Sequence, residues 1–412
     1  MMSTPSFRMA PHTIAFPFDV ETAPRKGHMD SHIDRDLVID LTRDLIRFRS
    51  VNPPGNEQEV AEFLGQRMEQ LGLESRLEPL EPGRANVIGR LPGKGAGHLV
   101  FTGHLDVVPP GGQEWKHEPF DAELIDGRIY GRGSCDMKGG VAAIVAAMAA
   151  LQRRGFRPRA DVLIAATAGE EAGMIGAQAM SDRGSLKGSG YLVVAEPSDL
   201  DVFIAEKGVL WVRIRALGRT AHGSMPWLGV NAVSFMSRLI SRLEEHSFDY
   251  MESELLGKPT LSVNTISGGN KINVVPDVCD IEVDLRTLPS QDNDEVIEII
   301  RELAEGLAAE FHPDLRVEVW SDQNKPPLET QRSEKLVEAT VEAVRSVRGE
   351  PAVGGVTYGT DAAAICPTYG IPMVICGPGA PGMAHQPDEN VEVEQLVQAA
   401  DIYARLARIL VG

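Results

Sequence analysis

The sequence predicts an α/β fold in which a mostly parallel sheet, flanked by helices, is interrupted by a smaller α+β unit. Three observations predict it. Short apolar runs alternate with stretches of helical periodicity at both ends of the chain, the pattern of a parallel sheet covered on both faces. The middle switches to two layers, in the order strand, helix, strand, strand, helix, strand. The candidate chemical residues fall just past predicted strands or in loops, where open α/β sheets bind ligands.

Residues 1–30, rich in proline and polar side chains and without periodicity, read as a disordered extension, with Met29 a candidate start. The first part of the larger domain is expected over 31–207. Apolar residues recur at helical spacing from Asp34 to Phe48 (Leu37, Leu41, Leu45, Ile46) and again from Glu57 to Leu71. Asn86 to Leu91 and Leu99 to Gly103 read as strands, followed by an Ala-rich helix at Gly140 to Leu151 and a strand at Asp161 to Ala168. After a further helix comes a strand at Tyr191 to Ala195. The inserted unit is placed at 208–322, with strands Leu210 to Ala216, Leu261 to Ser267, Val278 to Leu285 and Leu315 to Trp320. Helices Val230 to Glu244 and Asn293 to Glu310 complete a ferredoxin-like pattern. The larger domain resumes over 323–412 with a helix at Glu334 to Val347, a strand at Pro372 to Cys376 and a final helix from Glu394 to Leu410.

The length of 412 residues exceeds what one core usually holds, which supports two domains. A net charge of -19 repels nucleic acid and anionic membrane, so neither is expected as a partner. Four scattered cysteines (Cys135, Cys279, Cys366, Cys376) make neither a zinc knuckle nor a disulfide framework, and a reducing cytoplasm is the expected setting. No signal-peptide pattern and no run of about 18 apolar residues is expected.

The chemistry lies in separated motifs. In Gly103-His104-Leu105-Asp106, residues two apart at a strand end share a side. The Asp106 carboxylate is therefore expected to hold one nitrogen of His104 and leave the other for a metal. The glycines of Gly131-Arg132-Gly133-Ser134-Cys135-Asp136-Met137-Lys138-Gly139-Gly140 allow a tight turn that presents Asp136 near a helix start. Neither phosphate-loop nor dinucleotide spacing is present, and a carboxylate there suits a cation. Glu170 and Glu171 follow a strand side by side, an arrangement that is costly without positive charge nearby. The division of labour that fits is Glu171 as metal ligand and Glu170 as general base. Glu196 follows another strand, and His385 lies between a strand and the last helix. Taken singly, each of these residues is as well explained by a satisfied buried histidine or a solvated loop acid. As a set, His104, Asp136, Glu171, Glu196 and His385 supply five nitrogen and oxygen ligands, enough for two metals sharing one carboxylate.

From about Ile33 onward these motifs resemble the two-zinc family of acetylornithine deacetylases, succinyl-diaminopimelate desuccinylases, aminoacylases and glutamate carboxypeptidases. The resemblance implies a zinc-exopeptidase-like catalytic domain with an inserted lid and dimerisation domain. It implies that His104 and Glu196 hold one zinc, Glu171 and His385 the other, and that Asp136 bridges them through a residue followed by a cis peptide bond. Glu170 matches the general base and Asp106 the residue that orients His104. Gly218-Arg219-Thr220-Ala221-His222-Gly223-Ser224 resembles the segment whose histidine polarises the scissile carbonyl, commonly in the partner subunit's site. Asn273, Arg286, Gly359 and Thr360 match substrate-binding positions, Arg286 suiting a planar carboxylate. The Gly359-Thr360-Asp361-Ala362-Ala363 loop is closer to deacetylase and glutamate-carboxypeptidase members than to typical desuccinylases.

The implied activity is hydrolysis of N-acyl amino acids by a water activated between two Zn2+ ions, Co2+ or Mn2+ also suiting the ligands. The implied partners are a small N-acyl amino acid or dipeptide and a second copy of the chain. A glutamate-type carboxypeptidase or dipeptidase is the alternative within enzymes. A non-catalytic binding protein on the same fold is the alternative outside them, and it would have no use for Glu170.

Overall fold

The computed structural model describes residues 33–412, so the extension expected over 1–30 lies outside the described residues. The chain begins with α1 (Arg35–Arg47), capped by the Asp34 side chain, which accepts the Leu37 N–H at 3.1 Å. There follow α2 (Gln58–Gln70), β1 (Glu74–Pro79), β2 (Ala85–Leu91), β3 (Gly95–His104) and the small pair β4 (Glu123–Ile125) and β5 (Arg128–Tyr130). Next come α3 (Gly139–Arg153), β6 (Ala160–Thr167), α4 (Ile175–Arg183), β7 (Ser189–Val194) and β8 (Val202–Glu206). The middle contains β9 (Val209–Leu217), α5 (Ala232–Glu245), β10 (Thr260–Gly268), β11 (Val278–Arg286), α6 (Asn293–Phe311) and β12 (Arg316–Lys325). The chain closes with β13 (Leu328–Glu329), α7 (Lys335–Arg348), β14 (Val353–Val356), α8 (Ala362–Tyr369), β15 (Met373–Ile375), β16 (Asn390–Glu392) and α9 (Val393–Val411).

The large sheet runs β1-β2-β6-β3-β7-β15-β8-β13, with β14 also on β8. Its centre, β6-β3-β7-β15, is parallel as the strand-helix alternation predicts, and antiparallel strands flank it on both sides. Alternation along the strands feeds two cores. Leu99, Phe101, Val162, Ile164 and Val193 face α1, α3, α7 and α9, whereas Val100, Leu163, Ala165, Leu192 and Val194 face α4 and α8. The middle segment makes its own antiparallel sheet, β10-β11-β9-β12, with α5 and α6 packed on one face around Val212, Ile214, Phe235, Ile281 and Ile300.

One sequence expectation needs correcting. The stretch Ser134–Arg153 is long and apolar enough to cross a membrane by length and composition, contrary to the expectation that no such run exists. It is 94% buried in the protein, because α3 is a central helix packed against α1, α9 and the sheet.

Helix α3 also explains the paired glycines at its start. A Cβ on Gly140 would lie 2.3 Å from the Ala195 carbonyl oxygen, backbone that cannot move without shifting Glu196 beside it. We expect Gly140→Ala to cost about 1–3 kcal/mol, the usual range for overpacking, and to weaken metal binding through Glu196. Thermal denaturation with and without metal reads both effects, and an unchanged melting temperature would refute the close-packing argument.

Candidate metal centre

The parallel strands end on one side of the sheet, and the loops that leave them converge there. His104 terminates β3, Glu170 and Glu171 follow β6, and Glu196 follows β7. Asp136 sits in the turn before α3, and the peptide bond from Asp136 to Met137 is cis. His385 comes from the loop before β16, with a left-handed φ of 64° that is rare for a non-glycine residue.

Asp136 stands between two imidazoles. His104 Nε2 lies 3.0 Å from its Oδ1, and His385 Nε2 lies 3.3 Å from its Oδ2. The same nitrogen of each ring faces a second carboxylate: Glu196 Oε1 is 3.5 Å from His104 Nε2, and Glu171 Oε1 is 3.0 Å from His385 Nε2. The arrangement is thus two histidine–glutamate pairs flanking one aspartate.

The electrostatics follow from this crowding. Burial pushes the Glu196 carboxyl up to about 8, helped by the Asp136 charge. Burial likewise holds Glu170 well above the carboxylate range, with Glu196, Glu171 and Asp361 adding to the rise and His104 opposing it. Burial would raise Asp136 too, but hydrogen bonds from His104 and His385 outweigh it and hold that carboxyl far below the usual range. His385 is raised to about 10 by its bonds to Asp136 and Glu171. Burial disfavours a charged His104, yet Asp136 and Glu196 overcome this and raise it well above its ordinary value. Four carboxylates therefore face two imidazoles, and among the described residues no lysine or arginine is ion-paired to any of the four. Nitrogen and oxygen donors with excess negative charge fit divalent cations. His104, Asp136 and Glu171 offer donor atoms within 4.8 Å of one another, as do His104, Glu170 and Glu196.

A family model described as peptidase family M20/M25/M40 matches residues 100–409. The chain belongs to this family. A probable succinyl-diaminopimelate desuccinylase of Staphylococcus aureus (strain N315) is 28% identical over 395 residues, covering 89% of this chain and 95% of the relative. An acetylornithine deacetylase of Edwardsiella ictaluri (strain 93-146) is 30% identical over 352 residues, covering 82% and 87%. The YXEP protein of Bacillus subtilis, described as a dinuclear metal-binding peptidase from the M20 family, shares the fold at a TM-score of 0.71. It is 18% identical, over 92% of this chain and 98% of that one. As an M20 protein, the chain is a metal-dependent hydrolase acting on amides.

Two surrounding networks hold the M20 centre in shape. His104 Nδ1 donates to the backbone carbonyl of Asp106 at 2.9 Å, and not to its carboxylate as expected, which is 3.6 Å away. The carboxylate is taken up elsewhere: it accepts the N–H groups of Gly169, Glu170 and Glu171 at 2.9–3.2 Å and the Asn52 amide at 2.8 Å. Asp106 therefore orients His104 through its main chain and clasps the Glu170–Glu171 turn through its side chain. The second network was not foreseen. Buried Glu389 accepts the N–H groups of Gly133, Cys135 and Asp136, while Arg132 donates to Glu389 and to the carbonyls of His385 and Gln386. One buried ion pair thus ties the Asp136 turn to the His385 loop.

The centre opens into a cavity of about 450 Å³. Its far wall is the open face of the middle sheet, with Val209, Trp211, Arg286, Gln323 and Lys325. Arg286 Nε and Nη2 are held by the Asp284 carboxylate at 2.8 and 3.1 Å, leaving its Nη1 side free. Gly359 lines the cavity, where a Cβ would come within 2.9 Å of Val209. Thr360 does not line it: buried Glu206 needs a donor, and the Thr360 hydroxyl turns inward to supply one at 2.7 Å. His222 and Asn273 are not among its lining residues: they lie on two exposed loops, after β9 and after β10, that meet where Gly223 N–H donates to the Asn273 carbonyl, with His222 Nδ1 2.7 Å from Ser224 Oγ.

Proposed function

We propose that the chain is a two-zinc amidohydrolase that removes the acyl group from small N-acyl amino acids. The observation that carries this is the placing of His104 with Glu196 and His385 with Glu171 on opposite oxygens of Asp136, with Glu170 alongside. His104, Asp136, Glu171, Glu196 and His385 would hold the ions. Bound there, the metals supply Lewis acidity to the amide carbonyl and lower the pKa of a water. Glu170, tied up in no ion pair among the described residues, takes a proton from the attacking water and returns it to the departing amine. Its burial raises its proton affinity, which suits a group that must both accept and release a proton. Arg286 receives the amino acid's carboxylate through its Nη1 side, the edge that Asp284 does not hold.

Screening acyl-amino acids, dipeptides and glutamyl amides with metal-loaded and chelated protein tests this reading. We expect turnover of acyl-amino acids that chelation abolishes and Zn2+, Co2+ or Mn2+ restores. Cleavage of dipeptides or glutamyl amides in preference would move the assignment to a peptidase, and no turnover of any amide would refute it. The four cysteines, all unpaired and buried, suit the reducing cytoplasm proposed as its location.

We further propose a homodimer in which His222 reaches the partner's cavity. The support is that His222 is not among the residues lining the chain's own cavity, and that it sits near exposed Trp227, Leu228, Ile266 and Ile272. A mixture of Glu170→Ala and His222→Ala proteins is expected to regain about a quarter of wild-type activity. Half of randomly paired dimers are mixed, and one site in each is then complete. No recovery after subunit exchange would rule out the action across subunits.

A further inference from the structure

We infer that Lys325 forms a second anion subsite, so that the cavity selects substrates whose acyl group carries its own carboxylate. This rests on the proposed reading of the site, in which Arg286 takes the carboxylate of the leaving amino acid. Lys325, at the end of β12, is only 9% exposed and lines the cavity. Its ammonium donates to the neutral Gln178 Oε1 at 2.7 Å, and among the described residues it has no ion pair. Asp361 and Asp182 act on it only from a distance, and burial pulls its proton affinity down. A desolvated ammonium with only a neutral partner is costly, and an anion arriving in the cavity would complete it.

The strand register shows how the lysine comes to face the site. Along β12, Val317 and Val319 pack into the core of the middle segment, and plain alternation would send residues 323 and 325 to the same face. A β-bulge between Ser321 and Gln323 reverses the parity. Gln323 then pairs with Trp211, and Lys325 with Val209, on the open face toward the metal centre. Leu285 pairs with Leu210, which sets Arg286 on the other side of Val209. Two cations thus stand two strands apart, roughly 10 Å between backbones, across an apolar strip of Val209 and Trp211. The Gln178 bond draws the ammonium toward α4 and the Asp284 carboxylate holds the guanidinium over β11, so each flanks the cavity on its own side. Lys325 lies on the side of the Glu170 loop, since a Cβ on Gly173 would fall 1.8 Å from Gln323 Nε2. A substrate with an anion at each end and the amide between them matches this wall. An acetyl group leaves Lys325 without a counter-charge, whereas succinyl, glutaryl or an acidic acyl residue supplies one.

The test compares N-succinyl and N-acetyl forms of one amino acid on the metal-loaded enzyme. Wild type is expected to favour the succinyl form by at least about tenfold in kcat/KM, the size of a charge-assisted bond. In Lys325→Met that ratio should fall by at least about tenfold, and in Lys325→Arg, which keeps the charge, it should hold within about threefold. A ratio is independent of how much of a variant folds. A wild-type ratio near one, or a ratio untouched by Lys325→Met, overturns the subsite. Calorimetric binding of glutarate against butyrate gives a second readout that needs no turnover. Glutarate preference lost in Lys325→Met supports the subsite even if no amide is cleaved, a result that would count against the hydrolase reading alone.

Discussion

Glu170→Gln is expected to keep its metal and lose turnover by about 10²–10⁴-fold, the usual contribution of a positioned general base. The variant isolates proton transfer because Gln keeps the shape and removes only the basicity. Glu170 is the one carboxylate at the centre without a histidine partner: Asp136, Glu171 and Glu196 each contact an imidazole nitrogen. Its main-chain N–H is fixed by Asp106, so the side chain is delivered to the cavity by a bond that the substitution leaves intact. Measuring kcat together with metal content by mass spectrometry separates the roles. Activity within about tenfold of wild type would remove Glu170 as base, while loss of metal would make it a ligand.

What the sequence made legible divides along physical lines. The long periodic helices stood out: Asp34 to Phe48 is realised as α1, Asn293 to Glu310 as α6 and Glu394 to Leu410 as α9, each within a residue or two at its ends. Strands buried on both faces, such as β6, were equally plain because every residue but Asp161 is apolar or small. The missed elements are short or lie at edges. β8 has five residues, β13 has two, and β1 alternates charge with little apolar content, so its pairing with β2 comes from the turn rather than from a periodic pattern. Helix α8 carries Pro367 in its interior, which breaks the helical signal, and the sequence reading has no helix there.

At the site, the strand-end positions of His104, Glu171 and Glu196 could be read from apolar runs that stop abruptly at a charge. The partners that hold them could not. Arg132 and Glu389 are separated by 257 positions and meet only because two loops fold over one another. Both flank recognised motifs, Arg132 four residues before Asp136 and Glu389 four after His385, and that symmetry was the available signal. The reaiming of Lys325 depends on a bulge, a one-residue change of register that alternation in the sequence contradicts.

Asp136→Ala is expected to abolish turnover and metal retention together, because among the described residues this side chain alone is ion-paired to both histidines. Several kcal/mol of transition-state stabilisation depend on the ions, so a loss of roughly 10³-fold or more is expected. The fold should survive the change. The bond from the Asp136 N–H to Glu389 is main-chain, and the Arg132–Glu389 pair that joins the two loops does not involve the substituted side chain. Metal linkage makes this measurable without activity. Wild-type protein at about 100 times the metal dissociation constant gains about 2.7 kcal/mol of stability per site, seen as a rise in melting temperature over the chelated form. The variant should melt near the chelated wild type and show no such rise. If it instead melts well below that form, Asp136 is needed for the fold itself. If it keeps both ions, the bridging role is wrong, and the two histidine–glutamate pairs bind metal independently.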